Sequence, residues 1–330
     1  MIKNNMRYES KTLGELLSDP RISLIAPDAI RNRDLKKEDT WNKTLLQLKQ
    51  DGIRGDIAFG LERLYAAAET GDWYYPLYSE TEIAEDESRR GVNLVRFSSD
   101  IPDADQKPFI LLIPGGGFVN VWSLTEGWPV AAQFNRLGYH VFVLSYQVGN
   151  AEGLLDKNME TIARALRFIK ANERKFNLSG DRYITCGFSA GGYLICLWNT
   201  PEKGYASLGL PKPQASFPVY SPVSLRKRAY DPERARRLYG NAADEAAVTA
   251  YEVQEHAEGF PPTALFLAAD DELVSPDHSR MLASALEKLS IPCRLEAGTE
   301  GGHGFADGSG MCMAGWTERA IRWFESLRRS

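Results

Sequence analysis

The sequence predicts an α/β fold, with a mostly parallel central sheet flanked by helices. Three observations carry this. Apolar runs such as Phe109-Ile110-Leu111-Leu112-Ile113 and Val141-Phe142-Val143-Leu144 are continuous rather than alternating, as in strands buried on both faces. Between such runs lie longer stretches with helical spacing, for instance Ile162, Leu166 and Ile169. Strand and helix then alternate from about residue 92 to the C-terminus, and no internal repeat interrupts them.

Residues 1–88 are expected to form a helical N-terminal cap or extension, and 89–330 the sheet-containing domain. Trp41, Leu45 and Leu48 recur at i, i+4, i+7 and predict a helix. Ile57, Leu61 and Leu64 predict another, with Asp56 as N-cap and Gly71 as stop. The aromatic cluster Trp73-Tyr74-Tyr75-Pro76-Leu77-Tyr78 reads either as a cap lining a pocket or as a lid or dimer element on the sheet edge. The second is the reading preferred here.

The first strand is expected over 92–97 and the next over 109–113. Ser123 and Glu126 have capping-box spacing for a helix ending near Gly138. Strands follow over 140–146, 183–186, 215–220, 263–269 and 293–297, with helices over 156–176, 192–198, 275–289 and 314–327. Residues 224–258 break the pattern as a polar cap insertion before the strand at 263. This insertion carries Arg226, Lys227, Arg228, Arg234, Arg236 and Arg237. Such a run either recognises an acidic substrate or is a solvated helix face, and long basic side chains favour the solvated face.

Composition sets limits. A chain of 330 residues buries a large core. The net charge of −5 gives no overall electrostatic case for nucleic acid. The N-terminal residues show no apolar signal segment, and no run of 18 apolar residues occurs, so a cytoplasmic protein with no membrane partner is expected. The four cysteines, Cys186, Cys196, Cys293 and Cys312, have no Cys-x-x-Cys or His spacing, and neither a metal nor a cofactor is expected. A homodimer remains open.

Chemistry is concentrated in four segments. Gly187-Phe188-Ser189-Ala190-Gly191 directly follows a strand, the context in which a serine hydroxyl is exposed on a sharp strand-to-helix turn. Upstream, Pro114-Gly115-Gly116-Gly117-Phe118 follows another strand and offers backbone N–H groups unobstructed by side chains. No Lys-Ser/Thr follows these glycines, which argues against a phosphate loop. Downstream, Asp270-Asp271-Glu272 ends a strand, where open α/β sheets place working residues, and the residues alone do not select among the three acids. Of the four histidines, only His303 is flanked by glycine on both sides. It completes the order Ser, acid, His used by one class of nucleophilic hydrolases.

These segments resemble the α/β-hydrolase superfamily, and within it the bacterial acetyl-esterase and acetylxylan-esterase-like carboxylesterases, over roughly residues 90–330. The resemblance implies a serine carboxylic-ester hydrolase for a small-molecule ester, acetylated carbohydrates among them. It implies Ser189 as nucleophile, His303 as base and Asp271 as the acid, since the acid stands three residues before Val274. It also implies an oxyanion hole from the N–H groups of Gly116, Gly117 and Ala190. Hormone-sensitive-lipase-like esterases carry histidine where this chain has Pro114. Prolyl-oligopeptidase-like peptidases share the triad order, but Phe188 and Ala190 depart from their Trp-Ser-Tyr pattern. A ligand-binding protein on the same scaffold is the non-catalytic alternative.

Overall fold

Side chains of the central strands point alternately into two apolar layers, and this places the sheet between two sets of helices. In the strand Phe109–Ile113, Ile110 and Leu112 enter one core while Phe109, Leu111 and Ile113 enter the other. The computed structural model describes residues 8–25, 38–227, 231–240 and 244–328.

The N-terminal part holds α1 (Leu13–Leu17), α2 (Glu38–Trp41), α3 (Leu45–Gln50) and α4 (Ile57–Glu69). There follow β1 (Tyr74–Pro76), α5 (Glu80–Glu85), β2 (Asn93–Phe97), β3 (Phe109–Ile113), α6 (Trp128–Arg136), β4 (Val141–Ser145) and α7 (Leu154–Ala171). The second half comprises β5 (Tyr183–Phe188), α8 (Ser189–Trp198), β6 (Ala215–Val219), α9 (Pro232–Tyr239) and α10 (Glu245–Thr249). It closes with β7 (Thr263–Ala268), α11 (Asp277–Lys288), β8 (Cys293–Gly298) and α12 (Trp316–Leu327).

The strands form one sheet in the order β1-β2-β4-β3-β5-β6-β7-β8. All pairings from β4 through β8 are parallel, while β2 runs antiparallel to both β1 and β4. The expected α/β class, a mostly parallel sheet flanked by helices, is borne out. Among the described residues, no helix is long and apolar enough to cross a membrane.

Three local expectations need correction. Trp41, Leu45 and Leu48 do not share one helix. Thr44 caps α3 by accepting from the Gln47 N–H, while the Gln47 side chain accepts from the Thr44 N–H, and the chain restarts there. Ser123 and Glu126 form no capping box. Residues Ser123–Gly127 make a single π-helical turn running into α6, and the Glu126 carboxylate turns inward. The aromatic cluster lies at the sheet edge as expected, but as part of the sheet rather than an element packed on it: Tyr74–Pro76 is the edge strand β1, with Tyr75 packed on Phe168 and Phe176.

The segment before residue 88 therefore supplies a strand as well as helices. Leu13, Leu16, Leu45, Leu48, Leu61 and Leu64 share a core with Val95, Ile110 and Val143 of the sheet. Asp56 caps α4 as expected, accepting from the Phe59 N–H at 3.0 Å. Part of the basic stretch after 224 is neutralised by acids, while the buried Nε of Arg237 has no partner among the described residues. Arg226 faces Glu245, Glu252 and Glu255, Arg234 faces Asp231 and Arg236 faces Glu152. Arg228 lies outside the described residues.

Candidate active site

The turn from β5 into α8 carries Ser189 with φ of 48°, the left-handed backbone a non-glycine residue adopts only under local constraint. Its neighbours must be small. A Cβ on Gly191 would lie 2.2 Å from the Pro114 carbonyl oxygen and 2.3 Å from that of Ile113, so the turn at Ser189 and the end of β3 touch backbone to backbone. Ser189 is thereby held at the mouth of the glycine loop.

His303 stands in the loop between β8 and α12 and reaches Ser189, with Nε2 2.9 Å from Oγ. Its Nδ1 lies 2.8 Å from Oδ2 of Asp271, which sits just beyond β7. Asp271 is buried, and its Oδ1 accepts from the Leu273 and Val274 N–H groups, each at 2.9 Å. The carboxylate is thus fixed in orientation. Its charge is desolvated except where the imidazole and two amides meet it. Three side chains distant in sequence converge, and they are the three the resemblance implies.

Asp270, the acid left open by the residues alone, has a different task. It accepts from the Gly302 N–H at 2.7 Å and the Gly301 N–H at 3.1 Å, anchoring the loop that carries His303. The Gly302 bond leads in holding its carboxyl below the usual range. Asp307 pins the other end of that loop, accepting from the Gln133 side chain and the Asp56 N–H. Burial pushes the Asp307 carboxyl up, against the pull of its hydrogen bonds.

The glycine loop opens beside Ser189. Gly116 has φ of 139°, and a Cβ there would lie 1.9 Å from the Asn120 carbonyl oxygen, so no other residue fits. Among the described residues, the Gly116 and Gly117 N–H groups donate to no other atom of the chain, and both residues line the cleft with Ser189 and His303. Ala190 is buried and does not line the cleft; as the second residue of α8, its N–H precedes the first intrahelical bond. The cleft has a volume of about 420 Å³, and Trp122, Leu273 and Val274 give it apolar walls. No described residue of 224–258 lines it; Ile53 and Arg54, from the loop before α4, do.

Sequence reasoning missed Glu126. Its Oε2 accepts from the Gly115 N–H at 2.6 Å and its Oε1 from the Tyr220 hydroxyl at 2.9 Å. The Tyr220 ring packs edge-on against His303, centroids 4.8 Å apart. One buried carboxylate thus connects the glycine loop to the wall behind the imidazole. Burial raises its pKa, opposed by the two hydrogen bonds and by His303. A charged residue amid Val121, Trp122, Leu124 and Trp128 was the available signal.

Glu126→Ala orphans the Gly115 donor and the tyrosine hydroxyl. At about 1–3 kcal/mol for a buried group left unpaired, the stability of the fold is expected to fall by that amount. Glu126→Gln can still accept from Gly115 while donating to the Tyr220 oxygen and should restore most of it. Denaturant unfolding of the three proteins checks this. Among the described residues, no cluster of three His, Cys, Asp or Glu side chains could ligate a metal ion.

With this geometry in hand, similarity to known proteins can be placed. Residues 100–207, from just before β3 to beyond α8, match the BD-FAE family model. The chain is 28% identical over 238 residues to endo-1,4-beta-xylanase B of Butyrivibrio fibrisolvens, covering 68% of this chain and 37% of that protein. It is 22% identical over 214 residues to an acetylxylan esterase of Xylanibacter ruminicola, covering 63% and 43%. The matched region thus spans about four-tenths of the length of these relatives. Among solved structures, an acetyl ester-xyloside bifunctional hydrolase from Caldicellulosiruptor lactoaceticus superposes with a TM-score of 0.65 at 27% identity, covering 77% of this chain and 96% of that one.

Proposed function

We propose that the chain is an esterase of the α/β-hydrolase type, a serine carboxylic-ester hydrolase for short-acyl esters, acetylated carbohydrates in particular. The observation that carries this reading is the continuous hydrogen-bonded line from Ser189 Oγ through His303 to Asp271. In this mechanism His303 Nε2 takes the serine proton as Oγ bonds to the ester carbonyl carbon. The carbonyl oxygen gains negative charge and is met by the amides of Gly116, Gly117 and Ala190, each worth about 2.7–4 kcal/mol of barrier. Asp271 holds the imidazole with its proton on Nδ1 and stabilises the imidazolium.

The alcohol leaves with the proton that His303 returns, which breaks the C–O bond and leaves an acyl-serine. Water, deprotonated by the same imidazole, then releases the acid and restores Ser189. A small acyl group suits the apolar walls of Trp122, Leu273 and Val274. The sugar portion of the proposal is supported by the relatives' names, which are those of xylan-active enzymes and esterases. The test is hydrolysis by the purified protein. 4-Nitrophenyl acetate should give a nitrophenolate burst of about one equivalent per enzyme wherever deacylation is slower than acylation. Acetylated xylo-oligosaccharides should release acetate. A folded protein that releases neither product would contradict the proposal.

A further inference from the structure

Arg54 is an anomaly in the wall of the cleft. Buried arginine nitrogens normally find partners, because a donor sealed from water and left unpaired is costly. The Nη1 of Arg54 is buried and donates to no atom, and among the described residues its guanidinium forms neither hydrogen bond nor ion pair. A Cβ built on Gly302 would lie 3.6 Å from Nη1 and 3.9 Å from Nη2, so the group rests against the residue preceding His303. Asp270 feels the Arg54 charge, but its two oxygens are committed to the Gly301 and Gly302 amides, and Asp271 and Glu126 are likewise committed.

Position adds to the case. Gly52, Ile53 and Arg54 line the catalytic cleft and also a neighbouring cavity of about 500 Å³ that holds Lys49. Arg54 therefore stands on the ridge between the reacting ester and a second space able to take the rest of the substrate. A guanidinium there offers two parallel N–H groups suited to a carboxylate. The basic stretch at 226–237, the other candidate for reading acidity, has no described residue in the wall of the cleft.

We infer that Arg54 recognises a carboxylate on the alcohol portion of the ester, as on an acylated uronic acid. This rests on the ester-hydrolase reading and narrows its substrate class. The test compares acetylated methyl β-xyloside with acetylated methyl β-glucuronide, sugars that differ by the carboxylate on C5. The wild-type enzyme should favour the glucuronide ~10–100-fold in kcat/KM, the range of one charge-assisted pair. In Arg54→Gln the ratio should fall to about one, and in Arg54→Lys to an intermediate value, since lysine keeps the charge without the planar fork. Each ratio is internal to one enzyme, so a partly misfolded variant does not distort it.

No preference in the wild type, or a preference unchanged in Arg54→Gln, would overturn the inference. So would a preference seen only between 4-nitrophenyl hemisuccinate and 4-nitrophenyl butyrate, which puts the carboxylate on the acyl side. Calorimetry of unesterified methyl β-glucuronide and methyl β-xyloside with the Ser189→Ala protein separates this inference from its premise. Tighter glucuronide binding that is lost on adding Arg54→Gln supports Arg54 even if no ester is turned over. Equal binding of the two sugars counts against it whatever the esterase result.

Discussion

Ser189→Ala is expected to lower ester turnover by ~10⁴–10⁶-fold while leaving the fold intact. The argument is local. Ser189 is partly exposed on the turn between β5 and α8, and its Oγ meets only His303 Nε2. Removing one oxygen there leaves no cavity in either core, because the packing around the turn is made by Gly191 against the Pro114 and Ile113 carbonyls. Alanine also tolerates the left-handed φ of 48° no worse than serine does. What disappears is the acyl-serine route, leaving His303 to act as a base toward water. Residual activity from oxyanion stabilisation and binding sets the floor. kcat on 4-nitrophenyl acetate, with circular dichroism to establish folding, measures it.

Asp271→Asn should cost about 10⁴-fold, and the reason is tautomeric rather than steric. An asparagine can keep the oxygen that accepts from the Leu273 and Val274 amides at 2.9 Å. Its NH₂ would then face His303 Nδ1 at the position now 2.8 Å from Oδ2. That nitrogen must become an acceptor, which forces the imidazole proton onto Nε2, pointing at the serine hydroxyl it is meant to deprotonate. Asp270→Asn makes the contrast. It sacrifices one of two loop anchors, to Gly301 or Gly302, and should stay within roughly tenfold of the wild type. If Asp270→Asn is the crippled enzyme and Asp271→Asn the active one, the assignment of the acid is reversed.

How far the sequence discloses all this depends on where the information lies. The strands β3, β4, β5 and β7 are legible because both faces are buried, so each is a short, largely apolar run. β1 is not legible, being three residues with a proline, and it exists only because β2 offers it an edge. The split between α2 and α3 was readable in Thr44 and Gln47, a capping box hidden inside a good helical period.

Ser189 and His303 stand out because glycines mark their loops, and Asp271 was separated from Asp270 only through the family resemblance. Glu126 and Arg54 gave less sign. Glu126 acquires its role from Tyr220, 94 residues away, and Arg54 from a loop near Gly302. Such pairings belong to tertiary structure, and helical or strand periodicity carries no trace of them.

The claim on which the rest stands is that His303 makes Ser189 a nucleophile. Incubation with a serine-directed organophosphonate, followed by intact mass and peptide mapping, tests it without reference to any natural substrate. The account predicts one adduct per chain, on Ser189, forming far more slowly in His303→Ala and not at all in Ser189→Ala. A hydrolytically active protein that takes up no label, or carries it on a residue other than Ser189, would contradict it.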